Sequence, residues 1–296
     1  MIDLTDPQIR LELAETVRMD IDDACEALYD SGHRKHLGAS SLGDSCSRKL
    51  WYQFRWAKKG FRVGEDDHPG RMLRLWQRGT EQEQNIHIWL KQAGYTVEPV
   101  DPSTGEQWRF SDVNGHVGGS CDGQVWLPEK FEYPEPLLLE VKTVKGGASF
   151  NNYFKNGVKF ENDKYYVQMC LYGYKLNLNH CLFLSVCKDN DKIYSEIVEL
   201  NPEVAKFALE RANEIVNSPI VPGPERISMH PSKFECKYCN YQQICHYGED
   251  KEVDRNCRSC VHSQPAVDGQ WFCNHYGNTI PEDFIPTGCN KHEAIL

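Results

Sequence analysis

Residues 137–143 read Leu-Leu-Leu-Glu-Val-Lys-Thr, which sets a carboxylate and an ammonium two positions apart in an otherwise apolar run. A segment of this composition is expected as a buried strand. Alternation along it puts Glu140 and Lys142 on one face and Val141 on the other. Burying a carboxylate beside a lysine is costly unless the two pair or meet a metal. Eighteen residues earlier, Asp122 lies in Gly118-Gly119-Ser120-Cys121-Asp122-Gly123. If the two segments form a hairpin, Asp122 and Glu140 converge on one divalent cation, and oxygen ligands of this kind suit Mg2+ or Mn2+. Lys142 would then orient or deprotonate a water, or stabilise charge on a phosphate. The plainer alternative is a half-buried Glu140–Lys142 ion pair with Asp122 in an ordinary turn. Three neighbours favour the reactive reading. Glu83, in Gly79-Thr80-Glu81-Gln82-Glu83, could add a carboxylate from a helix. Gln168 and Tyr172 share one helix face and can grip a phosphate or a DNA end. His116 sits in the strand-like segment before Asp122.

Cysteine supplies a second kind of chemistry. There are thirteen, and a chain without a secretory leader uses clustered cysteines for metal more often than for disulfides. Cys236-x2-Cys239-x5-Cys245 has the opening spacing of both zinc and iron–sulfur sites, and its fourth ligand could be His246, His230 or the distant Cys46. Cys257-x2-Cys260-x12-Cys273-x15-Cys289 reads as a small structural zinc ribbon or knuckle, with His292, His275 and His262 as possible substitutes. Cys25, Cys121, Cys170, Cys181 and Cys187 fall in helix or strand patterns and are expected as small buried hydrophobes.

The 296 residues include 33 Lys+Arg and 43 Asp+Glu, a formal net charge of −10. That excludes a protein that coats nucleic acid indiscriminately, but the charge is polarised. Residues 1–30 hold nine acids and two bases, whereas 31–80 hold eleven bases and four acids. The basic stretch interleaves Arg48, Lys49, Arg55, Lys58 and Lys59 with Trp51, Tyr52, Phe54 and Trp56, and Arg71, Arg74 and Arg78 follow. Cations that grip phosphate and aromatics that stack on bases suit a frayed duplex end or a threaded single strand. A solvated helix face backed by core aromatics is the alternative. Lys145, Lys155, Lys159 and Lys164 could line an opposite wall. No run approaches the roughly 18 apolar residues of a membrane span. The acidic start lacks the pattern of a secretory signal, so a cytoplasmic protein is expected.

The elements that must position these residues follow from pattern. Helices are expected from Pro7, around Arg48–Tyr52, from about Met72 to Gln92 with a break near Gly79, at Ser149–Asn156, at Asp163–Leu176 and from Pro202 to about Asn217. Strands are expected at Tyr95–Pro99, Gln107–Phe110, His116–Leu127, Leu137–Thr143, Cys181–Cys187 and Lys192–Leu200. A loop is expected from Gly60 to Gly70, and Pro222-Gly223-Pro224 marks a linker to a tail holding seven cysteines, too poor in core to fold without metal. The order implies one α/β domain with a C-terminal metal module.

Taken together, Asp122, Glu140-Val141-Lys142, Gln168-x-x-x-Tyr172 and Gly79-x-x-x-Glu83 resemble the PD-(D/E)xK nuclease superfamily, in its RecB-like and lambda-type phage exonuclease branch. Ser41–Tyr52, Gly115–Gly123 and Cys236–Cys239 add to the likeness, which spans most of residues 40–292. Cys121 stands where the family's name-giving proline would be. The resemblance implies a restriction-endonuclease-like α/β core, a mixed central sheet flanked by helices, with an N-terminal helical region and a small Cys-rich module. It implies that Asp122, Glu140, the Val141 carbonyl and Glu83 hold Mg2+ or Mn2+, that Lys142 is the catalytic lysine, and that Gln168 and Tyr172 belong to the DNA-contacting helix. It favours Cys46 as the partner of Cys236, Cys239 and Cys245 around a 4Fe-4S cluster, with Zn2+ at the same cysteines as the alternative, and leaves structural Zn2+ to the last four. The implied organisation is 1–78 N-terminal helical and basic region, 79–221 nuclease core, 222–250 cysteine cluster closing with Cys46, and 251–296 zinc-binding tail. The implied activity is phage-encoded exonuclease action on linear duplex ends or single strands of DNA, in recombination, processing or degradation, beside a recombinase or single-strand-binding protein. Arg48, Lys49, Arg55 and His116 are the expected DNA contacts. A structure- or site-specific endonuclease and a non-catalytic, metal-stabilised DNA-binding protein are the competing readings.

Overall fold

The computed structural model describes residues 3–28, 33–58, 69–220, 223–248 and 253–296. Lys59, Pro222, Lys251 and the loop predicted after Gly60, up to His68, lie outside the described residues. In chain order the elements are α1 (Pro7–Ala27), β1 (Leu37–Gly38), α2 (Ala39–Leu42), α3 (Ser47–Phe54), α4 (Pro69–Gln92), β2 (Thr96–Glu98), β3 (Arg109–Asp112), β4 (Val117–Ser120), β5 (Gly123–Trp126) and β6 (Leu137–Val144). They continue with α5 (Ala148–Asn156), α6 (Val158–Glu161), α7 (Asp163–Leu176), β7 (His180–Cys187), β8 (Ile193–Glu199), α8 (Pro202–Val216), α9 (Phe234–Lys237), α10 (Gln242–Tyr247), β9 (Ser263–Pro265), β10 (Trp271–Cys273) and β11 (Asn278–Thr279). Among the described residues no helix is long and apolar enough to cross a membrane.

The chain is α/β, with a mixed five-stranded sheet in the order β2-β5-β6-β7-β8. β6 and β7 run parallel, joined by the crossover through α5, α6 and α7, and the other pairings are antiparallel. Alternation along β6 divides the core. Leu137, Leu139 and Val141 join Leu182, Leu184 and Val186 of β7, with Ile86 of α4, on one face of the sheet. Leu138 turns the other way, with Phe183, Met169 and Leu171, toward α7 and the alanine face of α8. Two ends of α7 are set locally. The Asn162 side chain accepts from the Tyr165 amide at 3.2 Å, and Asn177 closes the helix in the left-handed conformation at φ 56°.

Two sequence expectations change in ways that matter for the site. The predicted break near Gly79 is absent and α4 runs through it. The helix passes β6 there, with Thr143 Oγ1 lying 3.8 Å from where a Gly79 Cβ would be. The strand expected over His116–Leu127 is two strands in two sheets: β4 pairs with β1 and β3, β5 with β2 and β6. The turn between them holds Cys121 and Asp122. Gly123 takes φ +143°, and a Cβ there would meet Glu98 O at 2.9 Å. A side chain at this position would clash with β2, so glycine permits the switch between sheets that exposes Asp122.

The tail also differs from an appended module. Val253, Trp271, Ile280, Ile285 and Ile295 belong to the same core as Trp51, Tyr52 and Phe54. By contrast, the expected apolar face of α1 is largely exposed, with Val17 at 50%. That helix docks on α4 through a charge: Asp22, only 3% exposed, pairs with Arg18 and with Arg74. Of the five cysteines expected as hydrophobes, Cys121, Cys170, Cys181 and Cys187 are buried and Cys25 is half-buried.

Candidate active site

The pairing of β5 with β6 sets Gly123 opposite Leu139, so Asp122 and Glu140 sit at the same end of the ladder. Asp122 Oδ2 accepts from the Val141 amide at 2.7 Å, which ties the turn to the strand just past Glu140. Glu140 is fully buried. Its Oε1 accepts from the Lys142 ammonium and from Gln168 Nε2, the latter at 2.9 Å. Its Oε2 is buried without a hydrogen-bond partner. Such an orphaned carboxylate oxygen is costly to maintain and is the kind of atom a cation would satisfy.

Four ionisable groups act on one another here. Burial raises the Glu140 carboxyl, Lys142 opposes the rise, and Asp122 and Glu83 add to it. Glu83, one face of α4 away, is pushed up to about 7 by burial first and then by Asp122, with Lys142 acting against both. Burial alone would lower the Lys142 ammonium, but Glu140 and Asp122 outweigh it and raise it. Acids that each raise the other's pKa are close enough to compete for protons, or to share a metal. Oxygen donors from Asp122, Glu140 and Glu83, with the Val141 carbonyl beside them, fit a hard divalent ion by donor type. Among the described residues no three His, Cys, Asp or Glu side chains are already gathered into a finished metal-holding geometry.

Tyr172 does not face an open groove. It is 3% exposed, and its hydroxyl donates to Ser120 O at 2.7 Å, fixing the end of β4 just before Asp122. Gln168 likewise orients Glu140 at close range, although both residues also line a cavity of about 540 Å³. Its other wall carries Arg34, His36, Ser40, Arg109 and Ser120. Burial lowers the His36 imidazole, and Arg34, Arg258 and Arg109 lower it further, which marks the cavity as electropositive. None of these basic residues stood out in the sequence. His87, one turn past Glu83 on α4, was also missed. It is buried, which lowers its pKa, while the nearby Asp122 raises it. The Glu83-x-x-x-His87 spacing was the available signal.

The expected DNA contacts mostly serve other purposes. His116 is 1% exposed, with Nε2 2.7 Å from Ala266 O and its ring edge-on to Phe54 and Trp271. Arg55 is 3% exposed and donates to Cys260 O at 2.9 Å and Ser263 O at 3.1 Å. Both are fastenings between α3, β4 and the C-terminal residues, and neither can reach a substrate. Arg48 and Lys49 line a different cavity, that of the first cysteine cluster, and Lys49 pairs with Asp44 at 2.7 Å. Trp51, Tyr52 and Phe54 are each 1% exposed and form core.

The predicted cysteines line two shared cavities, without a group of three or more set in metal-holding geometry among the described residues. Cys46 at the start of α3, Cys236 in α9, Cys239 between α9 and α10, and Cys245 in α10 line one cavity of about 390 Å³. Burial raises the Cys236, Cys239 and Cys245 thiols and Cys46 adds to each, while Lys233 acts against the rise at Cys236, the Tyr241 backbone and Lys49 at Cys239, and Arg226 and Arg48 at Cys245. Cys257, Cys260, Cys273 and Cys289 line a second cavity of about 20 Å³ with His262, His275 and His292. Burial pushes Cys257 up to about 11, with Cys289, Cys260 and Cys273 adding to it. Both donor sets suit thiophilic metals. Cys46 rather than His230 is the residue the fold brings to the first set, and His246 lines the same wall.

No protein-family model matches the sequence, and no curated protein matches it significantly. Among solved structures the chain is similar to an alkaline exonuclease, LHK-Exo, from Laribacter hongkongensis, with TM-score 0.43 and 16% identity over 62% of this chain and 87% of that one. It is similar to LHK-Exo in complex with dAMP at TM-score 0.40 and 15% identity, covering 61% and 86% of the two chains. SSO0001 gives TM-score 0.42 and 12% identity, covering 78% and 96%. At this distance the likeness decides nothing about activity, which the side chains themselves must carry.

Proposed function

We propose that the chain is a Mg2+-dependent deoxyribonuclease that hydrolyses phosphodiester bonds from DNA ends. The observation that carries this reading is the fully buried Glu140, with an unpartnered Oε2, crowded by Asp122, Glu83 and Lys142 at the edge of an electropositive cavity. A merely structural ion pair would leave no carboxylate oxygen unsatisfied. When bound, Mg2+ or Mn2+ would supply a polarised water and neutralise charge developing on the phosphate.

The chain's own residues do the rest. Asp122, Glu140, Glu83 and the Val141 carbonyl offer the oxygen donors. Gln168 fixes the Glu140 rotamer, and Tyr172 fixes the strand end that presents Asp122. The Lys142 ammonium donates to Glu140 and rests against the Tyr165 ring at 5.5 Å, where it would orient a water or stabilise charge on a phosphate. Arg34 and Arg109 give the strand's phosphates a landing beside Gln168. Exonuclease action, phage origin, a part in recombination or DNA degradation, and a recombinase or single-strand-binding protein as the recipient of the product follow from the motif resemblance.

We also assign a 4Fe-4S cluster to Cys46, Cys236, Cys239 and Cys245, with Zn2+ as the alternative. The roomy cavity and the surrounding cations favour a multi-atom, anionic group there. The tight second site suits a single structural Zn2+.

End-labelled linear DNA and closed circular DNA, each incubated with Mg2+, test the activity. The expected result is degradation of the linear molecule and survival of the circle. Nicking of the circle would replace the exonuclease with an endonuclease, and survival of both would leave a binding protein.

A further inference from the structure

Residues 33–36 carry Arg34 and His36 to the cavity beside Gln168, and the nuclease sheet holds them weakly. β1, which follows, pairs with β4 over two residues only, Leu37 with Val117 and Gly38 with Gly118. The remaining anchors come from elsewhere. Trp56 Nε1 donates to Arg34 O at 2.9 Å, and the His33 ring stacks on Trp56 at 4.8 Å. Arg258 Nη1 donates to Lys35 O at 2.8 Å, and the Lys35 ammonium pairs with Glu282.

Arg258 is the unusual member. It is 1% exposed, and its guanidinium carbon lies 4.6, 4.4 and 4.5 Å from the ring centroids of Phe54, Trp56 and Trp271. Among the described residues no carboxylate pairs with it, and its Nε and Nη2 are buried without partners. Burial, with Arg55 adding to it, lowers its pKa well below the ordinary arginine value. Filling the space between three rings needs only an apolar side chain, and a buried guanidinium costs desolvation that such a filler would not. Beyond its cation–π attraction to the three rings, the guanidinium adds one directed bond, and that bond goes to the Lys35 carbonyl. In sequence Arg258 lies between Cys257 and Cys260, so whatever fixes those thiols fixes it too.

We infer that Arg258 is a positioning residue through which the C-terminal cysteine module sets residues 33–36, and with them Arg34 and His36, against the path of the nucleic acid. The inference rests on the nuclease reading for its kinetic consequence but not for its structural one. The module then governs how tightly the strand is held and leaves the chemistry at Asp122 and Glu140 alone.

Two variants of the full chain test this. Arg258→Met keeps the bulk between the rings and removes the bond to Lys35. Trp56→Phe keeps a ring and removes only the donor to Arg34. For both, KM on linear duplex DNA should rise about tenfold, the loss of one charge-assisted phosphate contact, with kcat within about twofold of the parent. Trypsin should cut after Arg34 and Lys35 faster in both than in the parent, at an unchanged rate elsewhere. Unaltered KM and unaltered tryptic rates at these two bonds would overturn the inference, as would a fall in kcat at constant KM. If Arg258→Met does not fold, Arg258→Lys, which keeps a cation between the rings and withdraws the donor from Lys35, is measured in its place with the same outcomes. If the parent does not cut DNA, the nuclease reading fails, and the tryptic rates still decide the positioning claim.

Discussion

The carboxylate site and the two cysteine clusters both gather ligand-type side chains, and the fold treats them in opposite ways. At the carboxylate site the donors come from three neighbouring elements, α4, the β4–β5 turn and β6, and they are held against their preference. Glu140 is buried with one oxygen unsatisfied, and its acid neighbours add to the cost. At the cysteine clusters the donors tie distant parts of the chain together. Cys46 shares a cavity with Cys236 across 190 residues of sequence, and the module around Cys257 is fastened to the end of α3 through Arg55, to the start of β4 through His116 and to residues 33–36 through Arg258. Strain at the first place points to chemistry, and fastening at the second points to architecture. Removing a carboxylate should therefore cost reaction and spare the fold, whereas removing a thiol or its anchors should cost the fold.

The largest effect expected is on rate. Asp122→Ala should reduce DNA hydrolysis by about 10³-fold or more, the scale of losing a group that stabilises transition-state charge. Its thermal unfolding midpoint should stay close to the parent's, because losing the bond from the Val141 amide is offset by relief of the repulsion with Glu140 and Glu83, and a large loss of stability would erase the contrast. On the other side, Cys257→Ser should lower unfolding stability on the order of 5 kcal/mol in a metal-replete preparation, measured by chemical denaturation. A variant as stable as the parent would remove the architectural role. Trp271→Ala, which empties the aromatic junction between Phe54, His116 and Arg258, should cost about 3–5 kcal/mol by the same measurement.

The smallest expected effect lies on β3, away from both. Burial alone would raise the Asp112 carboxyl, but the Lys175 ammonium and the Val113 amide outweigh it and hold it below the ordinary value. Its contribution is therefore complete above about pH 4, the unfolded value, and is lost as pH falls through the folded one. Asp112→Asn should lower stability near pH 7 by under about 1 kcal/mol and flatten the acid limb. A steeper acid limb in the variant would reverse the sign of this account.

The convergence of Asp122, Glu140 and Lys142 was legible because polarity in an apolar strand is a local signal. Glu140 and Lys142 sit two apart in a run that had to be buried, and the glycines around Asp122 advertised a backbone needing room. α7 was readable from Asp163 to Leu176 because its helical pattern is likewise local. Residues whose partners lie far away in sequence were not readable. Arg55 and His116 look like substrate contacts because charge and aromatic neighbours suggest them, yet their partners are carbonyls 205 and 150 residues away. Arg34, His36 and Arg109 were overlooked because the cavity they share is made by a two-residue strand pairing that no periodicity announces. The cysteine spacing pointed to two clusters. Only the fold shows that the second is built into the main core and bonds the Lys35 carbonyl through Arg258.

The most direct test is single-turnover cleavage of linear DNA by the Glu140→Gln chain in Mg2+, with DNA affinity measured alongside. Glutamine preserves the shape and can still meet Gln168, but it withholds the charged oxygen that faces the crowded acids. The account predicts retained binding with cleavage reduced to background. Cleavage at the parent's rate would contradict it.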